Sequence, residues 1–179
     1  MALPDTGGEV EEVHGMSTID FGIRGPRHVP GESSRGAARC AGHSTSARAA
    51  TLLRKADALL SAAAGADAPP ERFRLAYLAA LRGAGAVVAA AELRAPARPL
   101  RRPGTRNAWV LMARADESFA VWADYFADRS ATRTAVEAGV ARAVDADGAG
   151  EFYDEVGRFL HDVEDYLASE EGAEIASTR

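Results

Sequence analysis

The most apolar stretch of the chain covers residues 69–95 and opens with the helix-start sequence Pro69-Pro70-Glu71. Apolar positions recur along it at helical spacing: Phe73, Tyr77, Leu78, Leu81, Val87, Val88 and Ala91. No residue from Gly83 to Ala91 is charged, and a helix that is apolar on nearly every side is normally surrounded by other helices. Gly83 and Gly85 each lower helix propensity by about 1 kcal/mol relative to alanine, so we expect a neighbouring helix backbone to approach closely there. This stretch is predicted to be the central helix of a bundle.

Four further patterns, each apolar on one face, predict helices that pack around this central one. They run from Thr45 or Ser46 to Gly65, from Thr105 or Asn107 to about Ala127, from Thr134 or Ser130 to about Val144, and from Gly148 to about Ser169. The third of the five helices is expected to bury Leu111, Met112, Ala115, Phe119, Trp122 and Phe126, and the fifth Phe152, Val156, Phe159, Leu160, Val163 and Leu167. Short connections between five helices predict an all-α, antiparallel bundle.

The segment before the first helix, residues 1–44, is rich in Gly, Pro and Ser and has no apolar period. Such a segment buries too little surface to offset the entropy of ordering, so it is predicted to be a disordered tail. The bundle is expected to span 45–171, and 172–179 to fray. Translation could start at Met1 or at Met16, because the residues between them resemble those that follow.

Composition narrows the class of protein. The net charge is −5 and the chain has one cysteine, Cys40, so it cannot form an intrachain disulfide. No uncharged apolar run reaches the roughly 18 residues that a membrane span needs, and the first residues do not show the basic start and apolar run from which a signal peptide would be expected. We therefore expect a soluble cytoplasmic protein without membrane contact.

An arginine-rich linker between the second and third helices is the first candidate site. It contains Arg94, Arg98, Arg101, Arg102 and Arg106, three prolines and no acidic residue. The helix that starts at Asn107 would offer backbone N–H groups and its positive dipole end to a phosphate, and Trp109 could stack a base. The alternative is a solvated connector whose arginines pair with the acidic fifth helix.

The second candidate is Arg158 with His161, the one Arg/His pair inside the predicted bundle. Both residues are expected on the outer face of the fifth helix, within ion-pairing distance of Asp154, Asp162 and Asp165. Eleven carboxylates lie between Asp145 and Glu174. The pair is either part of a charged, solvated face or an arginine that binds phosphate beside a histidine acting as acid and base on RNA.

No metal or cofactor is predicted. The sequence from Asp145 to Gly148 resembles part of a calcium loop, but its first ligand position would be Ala143. The chain has no Cys/His cluster for zinc and no glycine-rich phosphate loop.

The sequence from Ala47 to Leu167 resembles the HEPN domains (higher eukaryotes and prokaryotes nucleotide-binding), in an actinobacterial subgroup. The resemblance is carried by RFRLAYLAALRGAGAVVAA and RRPGTRNAWVLMARADESFAVWADYFA. It implies an all-α bundle of four or five helices, frequently a homodimer. Active HEPN ribonucleases carry an Arg, four to six residues and then a His. Arg158 and His161 are too close together for that motif, and no other His of the chain satisfies it.

Three hypotheses follow. The first is a non-catalytic HEPN-type module that binds RNA, a nucleotide or a protein through Arg98, Arg101, Arg102, Arg106, Asn107 and Trp109, and that forms a homo-oligomer. The second is a ribonuclease that uses Arg158 and His161. The third is a structural or adaptor protein whose acidic fifth helix faces a basic partner.

Overall fold

The structure, a computed structural model, describes residues 34–94, 106–140 and 142–177, with side chains from 46–92, 106–140 and 142–170. The described residues form α1 (Ser34–Ala64), α2 (Pro69–Arg94), α3 (Ala108–Ala115), a 3-10 turn (Glu117–Phe119), α4 (Ala120–Asp128), α5 (Ser130–Glu137) and α6 (Ala146–Ser177). These residues contain no strand. The predicted all-α bundle is confirmed.

Three long helices, α1, α2 and α6, form the frame of the bundle. α1 and α2 are joined by the short connection 65–68 and are antiparallel, because Arg48, midway along α1, pairs with Glu92 near the end of α2 at 3.4 Å. α2 and α6 run in the same direction: Phe73 stacks on Phe152 near the start of both helices, and the cluster that contains Ala90 packs with Leu167 towards the other end. The short helices α3 to α5 return the chain to the start of α6, which is how two helices of one bundle come to be parallel.

The central position predicted for α2 is confirmed. Alanines at 76, 79, 80, 84, 86, 89 and 90 are at most 2% exposed, as is Val87. Small side chains on every face let α1 and α6 approach closely. α2 also has the length and hydropathy of a membrane span over Pro69–Glu92, but 72% of its apolar window is buried inside the bundle.

The predicted third helix is divided into two. Asp116 has extended backbone (φ −152°, ψ 126°), and its Oδ1 accepts hydrogen bonds from both the N–H and the hydroxyl of Ser118, at 3.0 and 2.7 Å. An Asp that binds the backbone two residues ahead begins a new helix there. α3 therefore ends at Ala115, and α4 starts in a new direction.

The predicted fourth helix ends earlier than expected. Gly139 has φ +74°, its N–H donates to the carbonyl of Val136, and the N–H of Val140 donates to that of Ala135. These two bonds form the Schellman end of a helix, which needs a residue in the left-handed region. The stripe predicted to continue to Val144 is wrong, and Val140 is 51% exposed.

Helix ends differ at both termini of the bundle. α1 begins at Ser34, ahead of the predicted Thr45 or Ser46, and α6 extends to Ser177, past Ser169 and into the stretch predicted to fray. Neither extension has the apolar period from which the helix ends were predicted. The tail predicted for 1–44 falls mostly on residues 1–33, which lie outside the described residues.

Candidate functional site

An open cleft of about 1030 Å³ lies where the end of α4, the start of α5 and the first three turns of α6 meet. Residues from four parts of the sequence line it: Phe73, Tyr125, Asp128, Arg129, Thr132, Arg142, Ala143, Val144, Asp145, Gly148, Glu151, Phe152, Asp154, Glu155 and Arg158. The cleft exists because α4 ends at Asp128 and the chain turns away from α6 before returning to it at Asp145.

Three aromatic rings from three different helices line the cleft. Phe73 and Phe152 are stacked with ring centroids 4.4 Å apart and are at most 3% exposed. Tyr125 lies parallel to Phe152, with an interplanar angle of 10° and a centroid distance of 6.4 Å. Because the two phenylalanines belong to the hydrophobic core, they hold this part of the cleft in place.

Two of the three cleft arginines are held by neighbouring groups. The guanidinium of Arg129 lies 3.4 Å from the centre of the Tyr125 ring, and its Nη1 donates to the Tyr125 carbonyl at 2.9 Å. Arg158 pairs with Glu155, with Nη2 2.6 Å from Oε1. The third, Arg142, is exposed and makes no hydrogen bond or ion pair with a described residue.

The carboxylates of the cleft are more numerous than its arginines. Asp145 caps the start of α6, because its Oδ1 accepts from the N–H of Gly148 at 2.8 Å; the fragment that resembles a calcium loop is a helix cap. Asp128, Glu151 and Asp154 are exposed and make no hydrogen bond or salt bridge within the described part of the chain. The cleft is therefore electronegative along its α6 side.

Tyr125 connects the aromatic and charged parts of the cleft. Burial raises the pKa of its phenol, and the nearby carboxylate of Glu155 acts in the same direction, against the opposing effect of the Arg129 guanidinium. The phenol is therefore neutral at physiological pH. A neutral Tyr125 keeps an uncharged ring face for Arg129 and a hydroxyl that can donate a hydrogen bond.

The residues predicted for the arginine-rich site are only partly described. Arg98, Arg101 and Arg102 lie outside the described residues. Arg106 and Asn107 are exposed at the start of α3, where the Asn107 side-chain oxygen accepts from the N–H of Trp109 at 3.0 Å. The predicted helix start at Asn107 is thus confirmed.

Trp109 does not fit the base-stacking role predicted for it. It is 4% exposed, and one face of its indole stacks on Phe126 at 4.8 Å. Its Nε1 donates to the hydroxyl of Tyr77 at 3.0 Å, and that hydroxyl lies 3.1 Å from the hydroxyl of Ser130. The indole can only donate, so the Tyr77 oxygen accepts from it, while either hydroxyl can donate in the contact between Tyr77 and Ser130. Trp109 thus joins α3 to α2 and α5 inside the core.

Replacing Tyr77 by phenylalanine is expected to lower the free energy of unfolding by about 2 kcal/mol, because the buried Trp109 N–H loses its acceptor. Urea denaturation followed by circular dichroism measures the change. Tyr153→Phe is the matched control: Tyr153 is half-buried and its hydroxyl makes no hydrogen bond to a described residue. Equal stability of the two variants would contradict the assigned bond.

Arg158 and His161 lie on the exposed face of α6, as predicted, but with partly different partners. Arg158 pairs with Glu155, while His161 lies 4.0 Å from Glu164 and 3.8 Å from Asp165. Asp162, expected to pair with them, instead accepts a hydrogen bond from the Trp122 indole at 2.8 Å. Asp162 thereby fixes α4 against α6.

The cleft was not predicted from the sequence. Arg129 directly follows Asp128, the last residue of α4, and Arg142 comes three residues after Gly139, which ends α5. An arginine just after a helix end is the signal in the sequence that could have indicated these two residues. Among the described residues, no group of three or more His, Cys, Asp or Glu side chains is arranged to hold a metal ion.

A comparison with protein families matches residues 63–164, more than half of the chain, to the SAV_6107-like HEPN family. Comparisons with curated proteins and with solved structures give no match.

Proposed function

Because the chain belongs to the SAV_6107-like HEPN family, we propose that it is a binding module that takes up RNA or a nucleotide without cleaving it. The observation that carries this proposal is the surroundings of Arg158 and His161, the one pair in the bundle that could have formed a ribonuclease site. Both side chains face carboxylates, and their spacing differs from that of the active HEPN ribonucleases.

The geometry of the pair is unsuited to phosphate. Glu155 engages both Nη2 and Nε of Arg158, at 2.6 and 3.2 Å. His161 is 72% exposed, and the carboxylates of Glu164 and Asp165 are its nearest charged groups. A phosphodiester placed between Arg158 and His161 would have to displace Glu155 and approach the other two carboxylates. The negative charges of the phosphodiester and of these carboxylates repel each other, so this face is expected to repel RNA.

The arginine-rich segment 94–106 has the opposite character. It has five arginines and no acidic residue, and its last arginine, Arg106, is exposed at the start of α3. One arginine can donate two hydrogen bonds to two oxygens of a phosphate. The affinity from such contacts falls as salt is raised, because binding releases counterions from the nucleic acid. Arg98, Arg101, Arg102, Arg106 and Asn107 are therefore proposed as the nucleic-acid contacts. Trp109 is excluded from them by its burial.

The test measures the affinity of the chain for a short, labelled single-stranded RNA by fluorescence anisotropy, starting at low salt. Changing Arg101, Arg102 and Arg106 to alanine is expected to weaken binding and to reduce the slope of log affinity against log salt by about 2, since each lost phosphate contact removes about 0.7. The RNA should stay intact on incubation, and His161→Ala should change neither result.

The matched control is a triple alanine variant of Arg54, Lys55 and Arg114. All three residues are exposed, and the variant removes the same charge. Their loss should leave affinity and salt slope unchanged. Absence of binding in the unaltered chain at low salt would exclude the proposal. Cleavage that disappears in His161→Ala would support the ribonuclease hypothesis in its place.

A second candidate function, adaptor to a basic protein, is favoured by one observation. Asp154, Glu164 and Asp165 are exposed along α6. A partner captured by the unaltered chain and lost on changing Asp154 and Asp165 to asparagine would favour this function. Asp162 is left out of the test because it holds Trp122.

The solution mass with and without RNA would show whether the chain self-associates, the proposed homodimer being the expected state.

A further inference from the structure

We infer that Arg48 of α1 is a further phosphate contact, which exchanges Glu92 for an RNA phosphate on binding, and that the ligand is a single strand reaching along α2 from Arg106 to Arg48. A mononucleotide is too short to make both contacts. The inference rests on the proposed function and deepens it in two ways: it names the class of ligand, and it names an acidic residue that competes with that ligand.

Arg48 lies beside the point where the arginine-rich segment begins. Its Nη1 is 3.4 Å from Oε2 of Glu92, and Glu92 comes two residues before Arg94, the last residue of α2. The sequence from Leu93 to Ala115 contains six arginines and no acidic residue. Glu92 is therefore the last carboxylate before this basic stretch, and Arg48 adds a cation at the same place.

The contact between Arg48 and Glu92 is looser than other ion pairs of the described residues. It joins one nitrogen to one oxygen, at a distance beyond the usual range of about 2.7–3.2 Å for a hydrogen bond from N–H to O. By contrast, Arg74, Arg133 and Arg158 each make two contacts with a carboxylate of the same helix. Of these four arginines, Arg48 is the one that gives up its carboxylate most easily.

A phosphate can reach Arg48 without any opening of the bundle, because the Arg48 side chain is 42% exposed. An exposed pair with a single contact stabilises a protein little. A phosphate can accept two hydrogen bonds from the same guanidinium. The exchange of the Glu92 carboxylate for a phosphate is therefore favourable at Arg48, whereas the two-contact pairs oppose it.

The packing of α1 on α2 does not depend on the Arg48 pair. At the same end of the two helices, Ala49, Ala89 and Ala90 are at most 2% exposed and form an apolar cluster against which Leu52 packs. This cluster stays closed when Glu92 releases Arg48. The ion pair can therefore open on binding while the fold remains as it is.

Arg106 lies at the opposite end of α2, as the course of α3 shows. α3 starts beside Tyr77, where the Trp109 indole donates to the Tyr77 hydroxyl at 3.0 Å. Just after α3, the Phe119 ring lies 5.2 Å from that of Tyr166, which packs on the cluster near the end of α2. α3 thus runs in the direction of α2, and Arg106, which precedes it, is at the Tyr77 end.

The separation of the two arginines determines the class of ligand. Fifteen residues of α2 separate Tyr77 from Glu92, which at about 1.5 Å per residue is about 22 Å along the helix axis. A single phosphate group cannot contact Arg48 and Arg106 at once over this distance. A strand of several nucleotides carries a phosphate at each step and can contact both.

The experiment is fluorescence anisotropy on the full chain with a labelled RNA of about ten nucleotides, a length within the known range of single-strand sites. Arg48→Ala should weaken binding severalfold and reduce the slope of log affinity against log salt by about 0.7, the loss of one phosphate contact. Glu92→Gln should tighten binding and leave the slope unchanged, because the same phosphates are contacted. If the pair only held α1 to α2, both variants would weaken binding.

Two matched controls remove the same charges elsewhere. Arg54→Ala changes an exposed residue of the same helix that lies six positions from Arg48, about 120° around the helix, and it should leave the slope unchanged. Glu151→Gln changes an exposed carboxylate near the start of α6 and should alter affinity by less than about twofold, because salt screens distant charges. Melting temperatures confirm that every variant is folded.

The ligand class is tested by competition. Adenosine monophosphate, added at the same phosphate concentration as unlabelled RNA of the same sequence, should not displace the labelled strand. Displacement by the mononucleotide would overturn the inference, as would an unchanged slope in Arg48→Ala or weaker binding in Glu92→Gln. If the Arg101, Arg102 and Arg106 variant still loses affinity, the proposed function survives such a result. Absence of RNA binding in the unaltered chain would overturn both.

Discussion

Replacing Phe126 by alanine is expected to lower the free energy of unfolding by about 3–5 kcal/mol, the loss typical of a large core aromatic. Phe126 is 0% exposed, and its ring packs against Trp109 at 4.8 Å and Phe159 at 5.0 Å. Further ring contacts join it to Trp122 and Phe152. The cavity would open at the point where α3, α4 and α6 meet, and rings held by so many neighbours cannot collapse to fill it.

The measurement is urea denaturation monitored by circular dichroism, with the slope compared between variants to verify two-state unfolding. Val121→Ala is the control on the same helix, because Val121 is 79% exposed. It should change stability by less than about 0.5 kcal/mol. A loss below about 1 kcal/mol for Phe126→Ala would mean that the aromatic cluster is not the core of the bundle.

The same cluster explains why the cleft is ordered on one side. Phe152 belongs both to the cleft and to the core, where it meets Phe126 edge to face at 6.1 Å. Tyr125 is the neighbour of Phe126 on α4 and contacts it at 5.3 Å. Adjacent residues of one short helix thus serve the interior and the cleft, so that the packing of the core determines the position of the cleft wall.

The long helices could be predicted from the sequence because their apolar patterns extend over many turns. The uncharged run from Gly83 to Ala91 is the centre of the bundle, and the stripe on α6 that includes Val156, Phe159 and Val163 is buried. An apolar period that continues over so many turns fits only a helix. Burial then follows from the width of the apolar face.

The breaks between the short helices could not be read in the same way. Asp116 interrupts a pattern that continues at helical spacing on both sides, and its effect depends on a bond to Ser118 that competes with the helix. Gly139 stands between Val136 and Val140, which suggested a continuing stripe. In both places one or two local hydrogen bonds outweigh a weak periodic signal, and periodicity alone does not register them.

The candidate cleft lay beyond sequence reasoning for a different reason. Phe73, Tyr125, Arg142 and Asp154 are far apart in the chain and form no motif. They meet because α4 and α5 turn away from α6, a consequence of the breaks that were missed. Trp109 shows the reverse error: its position just after the arginine-rich linker suggested a base-stacking role, but the structure buries it in the core.

Replacing Gly83 by valine is expected to lower the free energy of unfolding by about 3 kcal/mol, at the high end of overpacking effects. A Cβ at this position would lie 2.6 Å from Leu160 Cδ2 and 2.7 Å from Phe159 Cε1. Leucine could adjust its end, but the Phe159 ring is 0% exposed and is enclosed by other aromatic rings. The glycine therefore admits side chains of α6, whereas the sequence had suggested close approach of a helix backbone.

Gly150→Val is the matched control, because Gly150 also lies in a helix but a Cβ there would meet nothing within 4 Å. Valine has a slightly better helix propensity than glycine, so Gly150→Val should be neutral or stabilise the chain by a few tenths of a kcal/mol. Thermal and urea unfolding of the two variants separate packing from propensity. If both substitutions had equal effects, the close packing of α6 on Gly83 would be wrong, and with it the parallel contact that fixes α6 beside the central helix.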